Sequence, residues 1–144
     1  KTQSSGLAGE LFAGHWIQSN FGLPRDETWR SGYSNDILGD GLGNDSLGYD
    51  FEVLSGDVTY LVEVKATTGG DTAFHLPESE IRRALDLAPH EQYTILFVTN
   101  VLDSTHRRFH WLPNPLGPDA RLFRVEGREM RFRFDVAEGI RGSR

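Results

Sequence analysis

The segment spanning residues 93–99 constrains the fold most, because it is an almost unbroken apolar run of strand length. A strand with one buried face alternates apolar and polar residues, whereas a strand buried on both faces reads as a continuous apolar run. The segment is therefore predicted to be a strand with both faces covered. A chain of 144 residues can provide this cover within one compact domain, because a domain of that size buries roughly 68–70% of its unfolded surface.

The other predicted elements make a mixed α/β or α+β domain. Apolar spacing predicts a helix over residues 6–19, and a leading proline with an acidic first turn predicts another over residues 78–88. Residues 49–54 and 58–66 flank a turn signal and predict a hairpin, while residues 20–48 are typical of loop and turn. Residues 122–125 and 130–136 predict a second hairpin, in which Arg131 and Arg133 alternate with phenylalanines. We expect a single domain over residues 1–144, cut from a longer protein, as its polar start without methionine indicates.

The charge of the chain argues against a protein that coats nucleic acid by bulk electrostatics, since the formal net charge is −6. Residues 1–103 hold 6 Lys/Arg against 16 Asp/Glu, whereas residues 104–144 hold 9 Arg against 5 Asp/Glu. The basic part suits contact with a phosphate backbone, and a solvated arginine-rich hairpin explains it equally well.

Composition also excludes several classes of site. The chain contains no cysteine, which excludes a disulfide framework, a zinc finger and a thiol nucleophile. No apolar run approaches the roughly 18 residues that a membrane span requires, so no membrane partner is expected. An intracellular, cytoplasmic location is compatible with this composition.

Asp50, Glu63 and Lys65 point most directly to chemistry. Side chains alternate along a strand, so Glu63 and Lys65 are predicted to share a face. A tight turn at residues 56–57 places Asp50 opposite Glu63, with Cβ atoms about 4.5–5.5 Å apart, unless a one-residue bulge changes the register. Two close carboxylates repel and are seldom kept together without a cation, and carboxylate oxygens are preferred ligands of Mg²⁺, Mn²⁺ and Ca²⁺. Taken alone, Glu-x-Lys is a weak signal for a metal site beside a lysine, because strands often carry this pattern on a solvent-exposed face.

Four motifs in this order resemble a known family. They are Gly-Tyr-Asp-Phe at residues 48–51, Tyr-Leu-Val-Glu-Val-Lys-Ala-Thr at 60–67, Phe-His-Leu-Pro-Glu-Ser-Glu at 74–80 and Gln-Tyr-Thr-Ile-Leu-Phe-Val at 92–98. An aspartate, a hairpin and then Glu-x-Lys in an apolar strand resemble the PD-(D/E)XK nuclease superfamily. The details over about residues 45–101 are similar to the domain at the C-terminus of plant NO VEIN proteins, whose relatives occur in bacterial restriction and phage-defence proteins. Tyr49 stands where the superfamily name implies proline.

This resemblance implies a function and a role for each residue. It implies a restriction-endonuclease-like mixed sheet flanked by helices, and a Mg²⁺-dependent endonuclease, with Mn²⁺ as a substitute, acting on DNA. Asp50 and Glu63 would bind the metal together with the Val64 carbonyl, and Lys65 would be the catalytic lysine. The domain would then be the effector of a restriction or phage-defence protein, and it would act as a homodimer or with attached ATPase or recognition domains. The remaining implied site residues are Glu10 on the first helix, Glu80 and Thr67.

Several alternatives stay open at this point. An exposed helix position explains Glu10, and favourable placement in a first helical turn explains Glu80. A catalytically silent nuclease-like module that binds nucleic acid or a protein partner is the main rival to an enzyme, and a structural domain without a nucleic-acid role is a third reading. Arginine suits phosphate because its fork donates two parallel hydrogen bonds, and the predicted contacts are Arg82, Arg83, Arg107, Arg108, Arg131 and Arg133.

Overall fold

The computed structural model describes residues 3–39, 41–127 and 133. Eight helices and strands lie within these residues, in the order α1 (Gln3–Phe21), α2 (Arg25–Thr28), α3 (Tyr33–Leu38), β1 (Phe51–Ser55), β2 (Val58–Ala66), α4 (Glu78–Leu85), β3 (Glu91–Thr99) and β4 (Arg108–Leu112). Two short 3₁₀ helices are formed by Asp45–Leu47 and Ala120–Leu122. None of the helices in this part of the chain has the length and apolar character needed to cross a membrane.

The four strands form one mixed sheet in the order β1-β2-β3-β4. β1 and β2 are an antiparallel hairpin, β2 and β3 are parallel, and β4 pairs antiparallel with β3. A parallel pair needs a crossover connection, which here contains α4. The predicted mixed α+β architecture is confirmed, and a mixed sheet flanked by helices is consistent with the expected restriction-endonuclease-like fold.

The sheet is buried on both faces, because each face packs against a different helix. α1 covers one face, where Ala13 and Ile17 lie against Phe51, Val62 and Leu96. The helix approaches closely: a Cβ atom added at Gly9 would lie 2.7 Å from the Cβ of Ala66.

α4 covers the opposite face, where Ala84 packs with Leu61, Tyr93, Ile95 and Phe97. Residues 93–99 of β3 are all buried, so the prediction made from the apolar run is confirmed.

Some local predictions were incomplete. Residues 20–48 include loop and turn, as predicted, but they also contain α2, α3 and a 3₁₀ helix, which were not predicted. Side chains hold this segment together: Asn35 exchanges two hydrogen bonds with the backbone of Gly43, and the carboxylate of Asp45 accepts the N–H of Gly32 at 2.7 Å. Such bonds between polar side chains and the backbone explain how a segment rich in Gly, Asn and Asp becomes ordered.

The C-terminal hairpin was predicted incorrectly in its first half. Residues 123–127 form no strand, and the 3₁₀ helix Ala120–Leu122 precedes them. The second predicted strand, residues 130–136, lies outside the described residues except for residue 133. β4 was not predicted, because it depends on pairing with β3 rather than on a strong local pattern.

Candidate active site

Asp50 lies immediately before β1 and interrupts the regular pairing of the hairpin. Phe51 pairs with Val62, and the N–H of Asp50 also faces Val62, donating to its carbonyl at 2.8 Å. Two consecutive residues, Asp50 and Phe51, therefore face one residue of β2, as in a β-bulge. The register predicted from the turn holds from Phe51↔Val62 to Ser55↔Val58 and changes at Asp50.

Contacts of the Asp50 backbone and side chain fix its position. Its carbonyl accepts the N–H groups of Arg30 at 2.7 Å and Ser31 at 3.2 Å. Its carboxylate Oδ2 accepts the N–H of Val64 at 2.8 Å. The carboxylate is therefore brought to the residue that follows Glu63, so the two acidic residues are close although they are not paired one to one.

Lys65 lies between two carboxylates on the face that α4 covers. Its Nζ is 3.5 Å from Oε2 of Glu63 and 2.6 Å from Oε1 of Glu80. The side chains of Lys65, Glu63 and Glu80 are only 13%, 7% and 14% exposed. A charge in such a position costs free energy unless it is paired, so this is not the solvent-exposed Glu-x-Lys strand considered from sequence.

Tyr93 lies beneath this cluster and was not singled out in the sequence. Its hydroxyl donates a hydrogen bond of 2.6 Å to the carbonyl of Gly48, two residues before Asp50. Burial raises the pKa of Tyr93 well above its ordinary value, and the negative charges of Glu63, Glu80 and Asp50 raise it further. The three carboxylates thus act on one buried hydroxyl.

Glu10 is buried on α1 and connects to the Asp50 segment through Ser31. Its Oε1 accepts the indole N–H of Trp29 at 2.9 Å and the hydroxyl of Ser31. Glu10 is 2% exposed, so the alternative of an exposed helix position is wrong. Burial raises the pKa of Tyr33, and the charges of Glu10, Asp45 and Asp50 add to this effect.

The oxygen atoms near Val64 suit a divalent cation that keeps several of its waters better than one held only by side chains. In the part of the chain that the structure describes, no three His, Cys, Asp or Glu side chains form a group that would hold a metal. Mg²⁺ typically takes one or two carboxylates and retains several waters. The carboxylates of Asp50 and Glu63 supply that number. The N–H of Val64 points toward β1, and the carbonyl of the same residue in an extended strand points the same way.

Thr67 lies beyond the end of β2. Its hydroxyl accepts the N–H of Gly69 at 3.3 Å, and its backbone bonds to Val98 and Val101. It thus serves the turn after β2 rather than the carboxylate cluster.

Two of the arginines predicted to bind phosphate have structural contacts. Arg83 is 3.0 Å from Oε2 of Glu91, and its guanidinium lies 5.8 Å from the ring centroid of Tyr49. Arg107 lies 3.5 Å from the ring centroid of Phe12 and donates from Nε to a backbone carbonyl at 2.8 Å. These side chains are partly committed to the fold.

Three of the other predicted arginines are more exposed. Arg82 pairs with Glu78 at 2.5 Å on the outer face of α4, and both side chains are more than three-quarters exposed. Arg108 and Arg133 are exposed, and Arg131 lies outside the described residues. Arg30 was not predicted from the sequence as part of the site. Its backbone N–H donates to the Asp50 carbonyl, and its guanidinium is 3.8 Å from Glu52.

The fold and this cluster define a mixed α+β domain with buried carboxylates and one lysine at the end of a hairpin. Residues 39–112 match the family model described as Protein NO VEIN, C-terminal. The match covers more than half of the chain, so the chain belongs to this family. It includes Asp50, Glu63, Lys65 and Glu80, whereas Glu10 precedes it. No curated protein and no solved structure matches.

Proposed function

We propose that this domain is a divalent-metal-dependent endonuclease of the PD-(D/E)XK type that hydrolyses DNA. The position of Lys65 carries the proposal. Its ammonium lies 3.5 Å from Oε2 of Glu63, and the preceding residue, Val64, binds the Asp50 carboxylate through its backbone N–H. Ionisable groups that are buried together at a cost in free energy cluster at functional sites. A membership in the NO VEIN C-terminal family is compatible with this proposal and does not by itself define an activity.

Each residue of the cluster has a distinct proposed role. Asp50 and Glu63 would hold Mg²⁺ or Mn²⁺ with the Val64 carbonyl as a further ligand. The bound ion would stabilise negative charge on the phosphate and favour attack by water. The ammonium of Lys65 would donate hydrogen bonds to a phosphate oxygen, where it stabilises the charge that develops in the transition state. The hydrogen bond from Val64 N–H holds the Asp50 carboxylate at the residue that follows Glu63, which supports these roles.

Glu10 would act by fixing the segment that carries Asp50. Its carboxylate holds the hydroxyl of Ser31, and the backbone N–H of Ser31 donates to the Asp50 carbonyl. A positioning role needs no direct contact between Glu10 and the metal, and it explains why a carboxylate on α1 is buried.

The exposed arginines would place the DNA backbone. Arg82, Arg108 and Arg133 have the exposure that phosphate contact requires, and such contacts position a duplex without reading its sequence. With a net charge of −6, binding would depend on these local positions rather than on the overall field. An effector domain of a restriction or phage-defence protein, alone, as a homodimer or with ATPase or recognition domains, would use such a site.

Cleavage of supercoiled plasmid and of single-stranded DNA and RNA tests the proposal. The wild-type chain is expected to nick plasmid in Mg²⁺ or Mn²⁺ and not in EDTA. Lys65→Ala is expected to lose cleavage by about 10²–10³-fold, the loss typical of removing one group that stabilises transition-state charge, while DNA binding is retained. Glu52→Gln is the matched control, because Glu52 lies on the same hairpin and pairs with Arg30 instead.

Other outcomes would assign the domain elsewhere. Salt-dependent DNA binding without cleavage by either protein would favour a catalytically silent, nuclease-like binding module. Equal cleavage by wild type and Lys65→Ala would remove the lysine from the mechanism. Absence of salt-dependent binding and of cleavage would favour a structural domain.

A further inference from the structure

We propose that Glu80 is a positioning residue: α4 uses it to hold the Lys65 ammonium closer to Glu80 than to Glu63, so that the ammonium stands beside a cation at Glu63 instead of taking its place. The catalytic consequence of this inference rests on the proposed nuclease function. The positional part rests only on the geometry of the cluster.

The distances around Lys65 identify Glu80 as its main partner. Nζ is 2.6 Å from Oε1 of Glu80 and 3.5 Å from Oε2 of Glu63. A charge-assisted hydrogen bond of the shorter length is among the strong ones, and it strengthens further where water is largely excluded. Lys65 and Glu80 are 13% and 14% exposed, so both charges depend on this pairing.

Removing the Glu80 charge would leave Glu63 as the nearest carboxylate in contact with Lys65. A lysine side chain is a flexible stem with a compact charge, so its ammonium would move toward Glu63. An ammonium bound to Glu63 would compete directly with a divalent cation for the same oxygens. Glu80 therefore has two effects: it places the ammonium beside the site, and it prevents the ammonium from occupying the place of the metal.

α4 is anchored well enough to give Glu80 a fixed position. Ala84 is buried against the sheet, and the side-chain amide of Asn114 donates to its carbonyl at 2.8 Å. Arg83 joins the helix to Glu91 at the start of β3 through a contact of 3.0 Å. The main-chain N–H of Ala88 and the guanidinium of Arg83 together hold the pKa of Glu91 below its ordinary value, so this anchor stays charged.

The same helix contacts the segment that leads to Asp50. Gly48 has φ +85°, and a Cβ atom added to it would lie 2.5 Å from the carbonyl oxygen of Ser79, the neighbour of Glu80. α4 thus touches both parts of the site: the segment before Asp50 through Ser79, and Lys65 through Glu80. One helix thereby sets the position of the ammonium relative to the carboxylates.

NMR of lysine-labelled protein tests the positional part without any assay of cleavage. The chain has only two lysines, Lys1 and Lys65, so the side-chain signals are readily assigned. In the metal-free wild type, the Lys65 ε-CH₂ signal is expected to show restricted motion. Glu80→Gln is expected to shift this signal and to weaken Mn²⁺ binding. Glu78→Gln removes the same charge from an exposed position of the same helix and is expected to change neither property.

Cleavage kinetics test the catalytic consequence. Glu80→Gln is expected to lower kcat by about 10- to 100-fold and to raise the Mg²⁺ concentration needed for half-maximal rate, while KM for DNA changes little. Glu80→Asp keeps the charge on a shorter side chain and is expected to recover part of the lost rate. If Glu80 served only the stability of the fold, kcat would not fall in Glu80→Gln and recover in part in Glu80→Asp. Urea unfolding of each variant checks that it is folded.

The outcomes separate this inference from the proposed function. Unchanged Lys65 signals and Mn²⁺ binding in Glu80→Gln would overturn the inference, whether or not the wild type cleaves DNA. If the wild type does not cleave DNA but Glu80→Gln changes both properties, Glu80 positions the lysine and only the nuclease proposal fails. Should Glu80→Gln fail to fold, Glu80→Asp supplies the same NMR comparison, and signals identical to wild type would count against the inference.

Discussion

Substitution of Gly48 by alanine would test how tightly α4 is fitted to the segment before Asp50. The Cβ atom would lie 2.5 Å from the Ser79 carbonyl oxygen and 2.9 Å from the Cβ of Arg83. The first of these atoms is backbone, so the helix or the segment must move. Gly48 also has φ +85°, a conformation that disfavours any residue with a Cβ atom.

The expected cost has two parts. The left-handed conformation costs an L-residue roughly 1–2 kcal/mol, and forced overpacking typically costs about 1–3 kcal/mol. Gly48→Ala should therefore lower the free energy of unfolding by about 2–5 kcal/mol. If the site is a nuclease, cleavage should fall as well, because Asp50 is two residues away.

Gly56→Ala is the matched control. Gly56 has φ +59° at the turn of the hairpin, and an added Cβ atom would meet nothing within 4 Å. This variant should show only the conformational part, about 1–2 kcal/mol. Urea unfolding of both variants, followed by tryptophan fluorescence, gives the difference directly. A cost for Gly48→Ala no larger than that for Gly56→Ala would refute the close packing of α4 on this segment.

Four further substitutions have expected outcomes. Tyr93→Phe removes a buried hydrogen bond and should lower the free energy of unfolding by about 1–3 kcal/mol at pH 7. The pKa of Tyr93 is raised above 10.0 in the folded state, so the unfolded chain loses the hydroxyl proton at a lower pH than the folded protein does. The free energy of unfolding of the wild type should therefore fall as pH rises above 10.0, and that of Tyr93→Phe should fall less steeply. Glu10→Ala removes an acceptor of the Trp29 indole N–H, and should lower stability by about 1–3 kcal/mol and shift that indole signal in NMR. Arg108→Ala should leave stability unchanged and should reduce by about 1 the slope of the logarithm of the DNA-binding constant against the logarithm of salt concentration. Arg107→Ala should lower the free energy of unfolding by up to about 2 kcal/mol, because the contact of the guanidinium with the ring of Phe12 is lost.

For three of these four substitutions, a single result would contradict the expectation. Equal alkaline slopes of urea stability for wild type and Tyr93→Phe would mean that Tyr93 ionises normally when folded. An unmoved Trp29 indole signal in Glu10→Ala would exclude the buried contact. DNA binding that is unaffected by Arg108→Ala, measured at low salt, would contradict the proposed contact of this arginine with DNA.

The hairpin shows what local sequence can predict. The turn at Gly56 and the alternation along β2 were enough to give the register from Phe51 to Ser55 and the common face of Glu63 and Lys65. Both features depend on residues that are close in sequence. The apolar run that became β3 was similarly informative, because burial on both faces removes any polar alternation.

The details of the site depend on contacts that are distant in sequence. The bulge at Asp50 is held by the backbone of Arg30 and Ser31, some twenty residues earlier, within a segment that was expected to be mostly loop. The pairing of Lys65 with Glu80 requires the connection between the parallel strands β2 and β3 to place α4 against the face of the sheet that carries Lys65. No pattern within one element could predict either contact, because each depends on how separate elements pack.

Binding of Mn²⁺, measured by electron paramagnetic resonance, would show whether Asp50 and Glu63 form a divalent-cation site. The wild type should bind Mn²⁺ saturably, Mg²⁺ should displace it, and Asp50→Asn and Glu63→Gln should each weaken binding strongly. Glu52→Gln, on the same hairpin but paired with Arg30, should bind as the wild type does. Absence of saturable binding, or equal binding by all four proteins, would contradict a metal site at these residues.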